Sequence, residues 1–160
     1  DRWLEMNVFT SIMRTHEGNR TSENFQYYNS DDTLKLMARM TGIRKDLKPY
    51  LKTVIEEGSK YGYPVQRTVF MHYENEEETY YLQYEYLFGE DMYIKPIIYP
   101  NQKIQGVYLP DDEWIHLWTG QVFTGHKIVE VEAPIGYPAV FYRKQSRFKD
   151  LFESITKKYK

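Results

Sequence analysis

The feature that most constrains this chain is the way its second half is punctuated. After Gly89 it breaks into short β-rich runs at residues 92–98, 106–109, 114–118, 127–131 and 139–143. Turn signals separate them: Pro100-Asn101, Pro110-Asp111-Asp112, Thr119-Gly120, Thr124-Gly125 and Pro134-Ile135-Gly136. Strands recurring at intervals of roughly 8 to 14 residues predict an antiparallel sandwich or barrel. Pro96 falls inside the first run and should put it at an edge or a bulge, because proline cannot donate to a ladder. Trp114, His116 and Trp118 alternate, as residues on one sheet face would. That stripe reads as sheet packing, although aromatics in a row can also stack on a sugar.

The first half has a different period. Leu36, Met40, Ile43, Leu47, Tyr50, Leu51, Val54 and Ile55 recur at spacings of three and four, which makes one amphipathic helical face. Asp31-Asp32-Thr33 supplies a helix start with carboxylates at the favourable dipole end. Pro49 should split the helix near Asp46, and Gly58 or Gly62 should close it. Residues 3–8 read as the end of a helix that feeds an apolar, strand-like run at 9–13. A second apolar run covers 65–73 after the Tyr63-Pro64 turn. Strand, helix of about 27 residues and strand predict a parallel βαβ unit with a right-handed crossover. Between the first strand and the helix lies a long polar loop, 19–30, carrying Phe25, Tyr27 and Tyr28; its rings could pack on their own loop or serve as a lid. At the other end, Ser146 can cap a last helix with Phe148, Leu151, Phe152, Ile155 and Tyr159 in one stripe and Lys157-Lys158 at its cationic end.

Composition excludes several classes of function. A formal charge of -2 on 160 residues argues against nucleic acid as a main partner. No apolar run approaches the roughly 20 residues of a membrane span and nothing resembles a signal peptide, so a soluble chain is expected. Zero cysteines remove disulfides, thiolate catalysis and Cys-ligated zinc, and they suit a reducing, cytoplasmic setting. No cofactor and no metal are expected. The chain begins at Asp1 on an apolar-rich stretch, which reads as a piece of something longer.

Chemistry-bearing residues concentrate where the first apolar run ends, at Arg14-Thr15-His16-Glu17-Gly18. In barrel enzymes the residues at the C-terminal end of a strand face the substrate. The same cluster also reads as a surface turn. The run Glu74, Glu76, Glu77 and Glu78 reads as a solvated turn, since catalytic carboxylates need fixed and differing environments.

These residues carry a resemblance. Arg14-Thr15-His16, Leu47-Lys48-Pro49-Tyr50-Leu51, Gly62-Tyr63-Pro64-Val65-Gln66-Arg67, Tyr86-Leu87-Phe88-Gly89-Glu90-Asp91, Val107-Tyr108-Leu109-Pro110, Trp114 through Gly120 and Ala133-Pro134, in that order, resemble the end of glycoside hydrolase family 31. Thr15-His16-Glu17-Gly18-Asn19-Arg20 with Asn24, Phe25, Gln26 and Tyr28 looks most like its bacterial sulfoquinovosidase branch. The resemblance implies an α+β chain: residues 1–89 as closing βα elements of a catalytic (β/α)8 barrel, and residues 90–160 as an antiparallel β-sandwich with a terminal helix. It implies a retaining α-glycosidase as the parent, an α-linked glycoside as substrate, and the remainder of the barrel as partner. Such enzymes need a nucleophile and a general acid/base about 5 to 5.5 Å apart; in this family both are aspartates on earlier strands, so no catalytic residue is expected here. His16 would hydrogen-bond hydroxyls of the sugar, and Arg14 would orient neighbouring carboxylates. Three departures from the family pattern are Thr68 after Arg67, Lys95 before Pro96, and Thr21 after Arg20. Lys95 should either snorkel to solvent or mark an exposed face. The competing reading is a free-standing sandwich module, carbohydrate-binding or structural, with a helical extension.

Overall fold

The computed structural model describes all residues, 1–160. Its first half is helical: α1 (Arg2–Asn7), α2 (Asp31–Asp46) and α3 (Lys48–Tyr61). Ser30 caps α2 by accepting from the Thr33 amide at 3.1 Å, and Pro49 stands at the start of α3, so the long apolar stripe is split where the proline demands. Gly62 ends α3 in the left-handed conformation, φ 80°.

Eight strands follow: β1 (Gln66–Arg67), β2 (Tyr86–Phe88), β3 (Met92–Lys95), β4 (Ile104–Leu109), β5 (Glu113–His116), β6 (Val122–Thr124), β7 (Lys127–Glu132) and β8 (Ala139–Arg143); α4 (Lys149–Tyr159) closes the chain. Six of them form one sheet in the order β1-β2-β3-β8-β5-β6, and β4 pairs with β7 in a second. Every pairing is antiparallel. The larger sheet contains strands from both sides of residue 89.

Both faces of that sheet are buried, and alternation sorts its side chains between two cores. Met92 opposes Tyr142 and Ile94 opposes Val140 on the face covered by α2, α3 and α4, where Met40, Ile43, Tyr50 and Phe152 pack against them. Tyr93 and Phe141 oppose one another on the other face, where Trp114, Val107, Leu109, Val129 and Val131 join the two sheets. The molecule is therefore three layers: helices, a six-stranded sheet and a two-stranded sheet. Gly89 makes the β2–β3 turn at φ 66°, where a Cβ would collide with the Tyr50 hydroxyl.

Several expectations are corrected. Residues 9–13 form no strand: the Phe9 amide closes a turn onto the Met6 carbonyl at 3.0 Å, the backbone bends at Thr10 and Ser11, and no strand of this chain pairs with them. Their backbone is satisfied otherwise: the Arg44 guanidinium donates to the carbonyls of Val8 (2.7 Å), Thr10 (2.5 Å) and Ser11 (2.9 Å), and the Tyr86 hydroxyl donates to that of Phe9 (3.1 Å). The run 65–73 gives only the two residues of β1 and then a 3-10 turn at Val69–Met71. Since β1 runs antiparallel to β2, the chain holds no parallel βαβ pair. Tyr86–Phe88 and Val122–Thr124 are strands that the sequence reading missed. Pro96 ends β3, an interior strand, rather than marking an edge.

The Trp114, His116, Trp118 stripe also divides. Trp114 sits between the sheets, whereas β5 ends at His116 and Trp118 turns into the helix-side core, its indole donating to the Pro138 carbonyl at 2.5 Å. Lys95 neither snorkels free nor marks an open face: it forms an ion pair with Glu85, whose side chain is 4% exposed.

Candidate functional site

The extended segment after Thr10 leads Arg14, Thr15 and His16 to the surface, beside α1 and the start of α2. Arg14 Nη2 lies 3.4 Å from His16 Nδ1, so the two expected site residues are together, both exposed. They open onto a recess of about 290 Å³. Its other walls come from Trp3 and Asn7 of α1, from Phe25, Gln26 and Tyr27 of the polar loop, and from Thr33 and Met37 of α2.

The loop that supplies one wall is fixed by local hydrogen bonds. The Gln26 amide donates to Asn29 Oδ1 at 2.5 Å, the Asn29 amide returns to the Gln26 carbonyl at 3.0 Å, and the Asn24 side chain reaches the Gly18 carbonyl at 3.2 Å. Tyr27 packs edge-on against Tyr28 with centroids 5.3 Å apart. Phe25 remains 68% exposed and Trp3 72%. The sequence singled out Arg14, His16 and the loop aromatics; it did not point to Trp3, whose place beside His16 depends on how the chain folds back after α1.

A second, more polar cleft of about 380 Å³ lies between α3, the β2–β3 turn and the segment before α4. Its acids are engaged. Glu57 pairs with Arg67 (3.1 Å) and Arg147 (3.4 Å), and Glu90 with Arg143 (2.9 Å). Burial raises the Asp91 carboxyl, against a hydrogen bond from Ser146 that lowers it. This network braces α3 against the sheet, and each carboxylate has structural work.

The acidic run also departs from expectation at one position. Glu76 is fixed, accepting from the Tyr108 hydroxyl (2.8 Å) and the Asp111 amide (2.7 Å), with His126 Nδ1 at 3.4 Å; Glu74, Glu77 and Glu78 are exposed as expected. No three His, Asp or Glu side chains converge as a metal site would require. No helix is long and apolar enough to cross a membrane.

A profile of the Glycosyl hydrolase family 31 C-terminal domain matches residues 62–146, more than half of the chain. The chain belongs to glycoside hydrolase family 31. Sulfoquinovosidases of Escherichia coli K12 and Agrobacterium fabrum are 44% and 47% identical to it over 96% of its length. Among solved structures, a family 31 sulfoquinovosidase from E. rectale in complex with the aza-sugar inhibitor IFGSQ superimposes with a TM-score of 0.96 at 51% identity, covering 99% of this chain. An α-xylosidase from a soil metagenome, complexed with xylose, has the same fold at a TM-score of 0.86. The chain spans 23% of each of the two sulfoquinovosidase sequences and 24% of the E. rectale chain. As a family 31 piece it is the β-rich C-terminal domain together with the helical region before it, and its relatives are glycoside hydrolases.

Proposed function

We propose that this chain serves as the C-terminal portion of a retaining α-glycosidase and that it contributes substrate contacts rather than the bond-breaking groups. The helical region before residue 62 carries closing elements of the catalytic barrel, and the sheets that follow, with β1 and β2 among their strands, brace it. His16 hydrogen-bonds hydroxyls of the sugar at the cleavage subsite, and Arg14, in contact with it, orients carboxylates that belong to the rest of the barrel. The nucleophile and the proton donor, held about 5 to 5.5 Å apart, come from outside these residues. The substrate that fits the sulfoquinovosidase relatives is an α-sulfoquinovoside, with a sulfoquinovosyl group as glycone, and with no cysteine in the chain a cytoplasmic location suits the parent.

The observation that carries this reading is the convergence of Arg14 and His16 on one open recess, in a chain that follows an inhibitor-bound sulfoquinovosidase over almost its whole length. Segment 9–13 supports it too, since it joins no ladder within this chain and leads directly into Arg14 and His16.

The test is His16→Ala in the full-length hydrolase. His16 is exposed and outside both hydrophobic cores, so its loss should lower kcat/KM on the best glycoside about ten- to hundredfold while the melting temperature stays put. Unchanged kinetics would refute the assignment, and so would a stability loss large enough to explain the whole effect.

A further inference from the structure

The recess is two-sided in its chemistry. Its lining offers hydrogen-bonding groups, Arg14 and His16, and aromatic rings, Phe25 and Tyr27 on the loop and Trp3 on α1. Phe25 is 68% exposed, belongs to neither hydrophobic core, and makes no ring-to-ring contact with another aromatic. Hydrogen bonds on either side of it, Gln26–Asn29 and Asn24–Gly18, fix the loop that carries it. Polar groups together with exposed rings match a glycoside, whose hydroxyls lie around its edge and whose C–H faces are apolar.

We propose that Phe25, supported by Tyr27, is the surface against which the leaving group of the substrate packs, so that the 19–30 loop sets aglycone preference while His16 reads the glycone. This rests on the glycosidase reading above and deepens it. The division follows from chemistry: Arg14 and His16 are the hydrogen-bonding groups of the recess, suited to the hydroxyls of a glycone, whereas Phe25 offers an exposed apolar ring on the adjoining loop. A glycoside whose glycone is held by His16 leaves its aglycone within reach of the ring on the same recess. Stacking there acts only on substrates that have a carbon skeleton beyond the scissile bond, and kcat/KM of a retaining enzyme reports the step in which that group departs.

The experiment compares two substrates with the same glycone in the full-length protein: the α-glycosyl fluoride, whose leaving group has no carbon, and the p-nitrophenyl α-glycoside. Phe25→Ala is expected to lower kcat/KM on the aryl glycoside about three- to tenfold and to leave the fluoride unchanged, while Phe25→Tyr retains most of the aryl activity. His16→Ala is expected to lower both substrates together, so failure of the glycone reading shows as an unaffected fluoride in that variant alone. Equal effects of Phe25→Ala on both substrates would overturn the aglycone assignment. A fall in melting temperature with no substrate dependence would also overturn it, showing that the ring is covered by the rest of the hydrolase.

Discussion

Residues 9–13 and β3 carry the same kind of sequence, an apolar run that begins beside a core, yet only one of them is a strand. β3 lies between β2 and β8 and exchanges ladder hydrogen bonds with both, burying Met92, Tyr93 and Ile94. The 9–13 segment buries Phe9 and then runs out to Ile12, which is 74% exposed, with its first carbonyls held by one guanidinium and one phenol. The sandwich completes itself within this chain and the site segment does not. Strand formation is a property of neighbours as much as of sequence, and the recess lies on the side where this chain supplies none.

The comparison can be broken most sharply by removing one ring from the self-contained half. Trp114 is fully buried between the sheets, edge-on to Tyr93 at 5.6 Å, with its indole donating to the Pro110 carbonyl at 2.9 Å. Trp114→Ala should cost about 3 to 5 kcal/mol in urea unfolding, from lost burial plus the cavity left behind. Ile12→Ala, measured beside it, should fall within about 0.5 kcal/mol of the parent, since that side chain has little burial to lose. Comparable losses at the two positions would erase the distinction.

A smaller effect comes from a histidine buried in the same half. His116 is 3% exposed, and burial pushes its imidazole down to about 4. The unfolded chain therefore binds a proton that the folded one refuses between about pH 6.5 and about pH 4, so this contribution to stability is present above that window and is lost as pH falls through it. The loss amounts to about 3 kcal/mol at the acid end. Burial raises the Glu5 and Asp91 carboxyls and gives them the opposite sign, so the informative quantity is a difference between proteins. His116→Phe, which keeps a ring against Phe141, should flatten the acid slope of unfolding free energy; an unchanged slope would mean that the imidazole is not kept neutral by burial.

What could be read in advance follows a physical pattern. The helices were legible because their signals are local: Asp31-Asp32-Thr33 at a start, Pro49 at a break, Gly58 or Gly62 at an end, although the Ser30 cap came only with the structure. Most of the sandwich was legible for the same reason, through turn residues and alternation. Register was not: nothing near Trp118 says that β5 ends two residues earlier and sends it to the other core, or that Glu85 waits across the sheet for Lys95. Of the site, Arg14, His16 and Phe25 stand out as chemistry-bearing residues near one another in sequence. Trp3 could not be found that way, because its proximity to His16 is a product of tertiary folding.

The central claim is that this chain holds sugar contacts and no bond-breaking pair. It is tested most directly by following p-nitrophenol release from α-sulfoquinovoside, α-glucoside and α-xyloside substrates with the purified 160-residue chain beside the full-length hydrolase. The acids Glu17 and Glu74 are exposed and neither lines the recess that holds Arg14 and His16, so the chain alone should release nothing above background. Turnover that follows the chain through purification and disappears on replacing Glu17 or Glu74 would place the chemistry inside these residues and contradict the account.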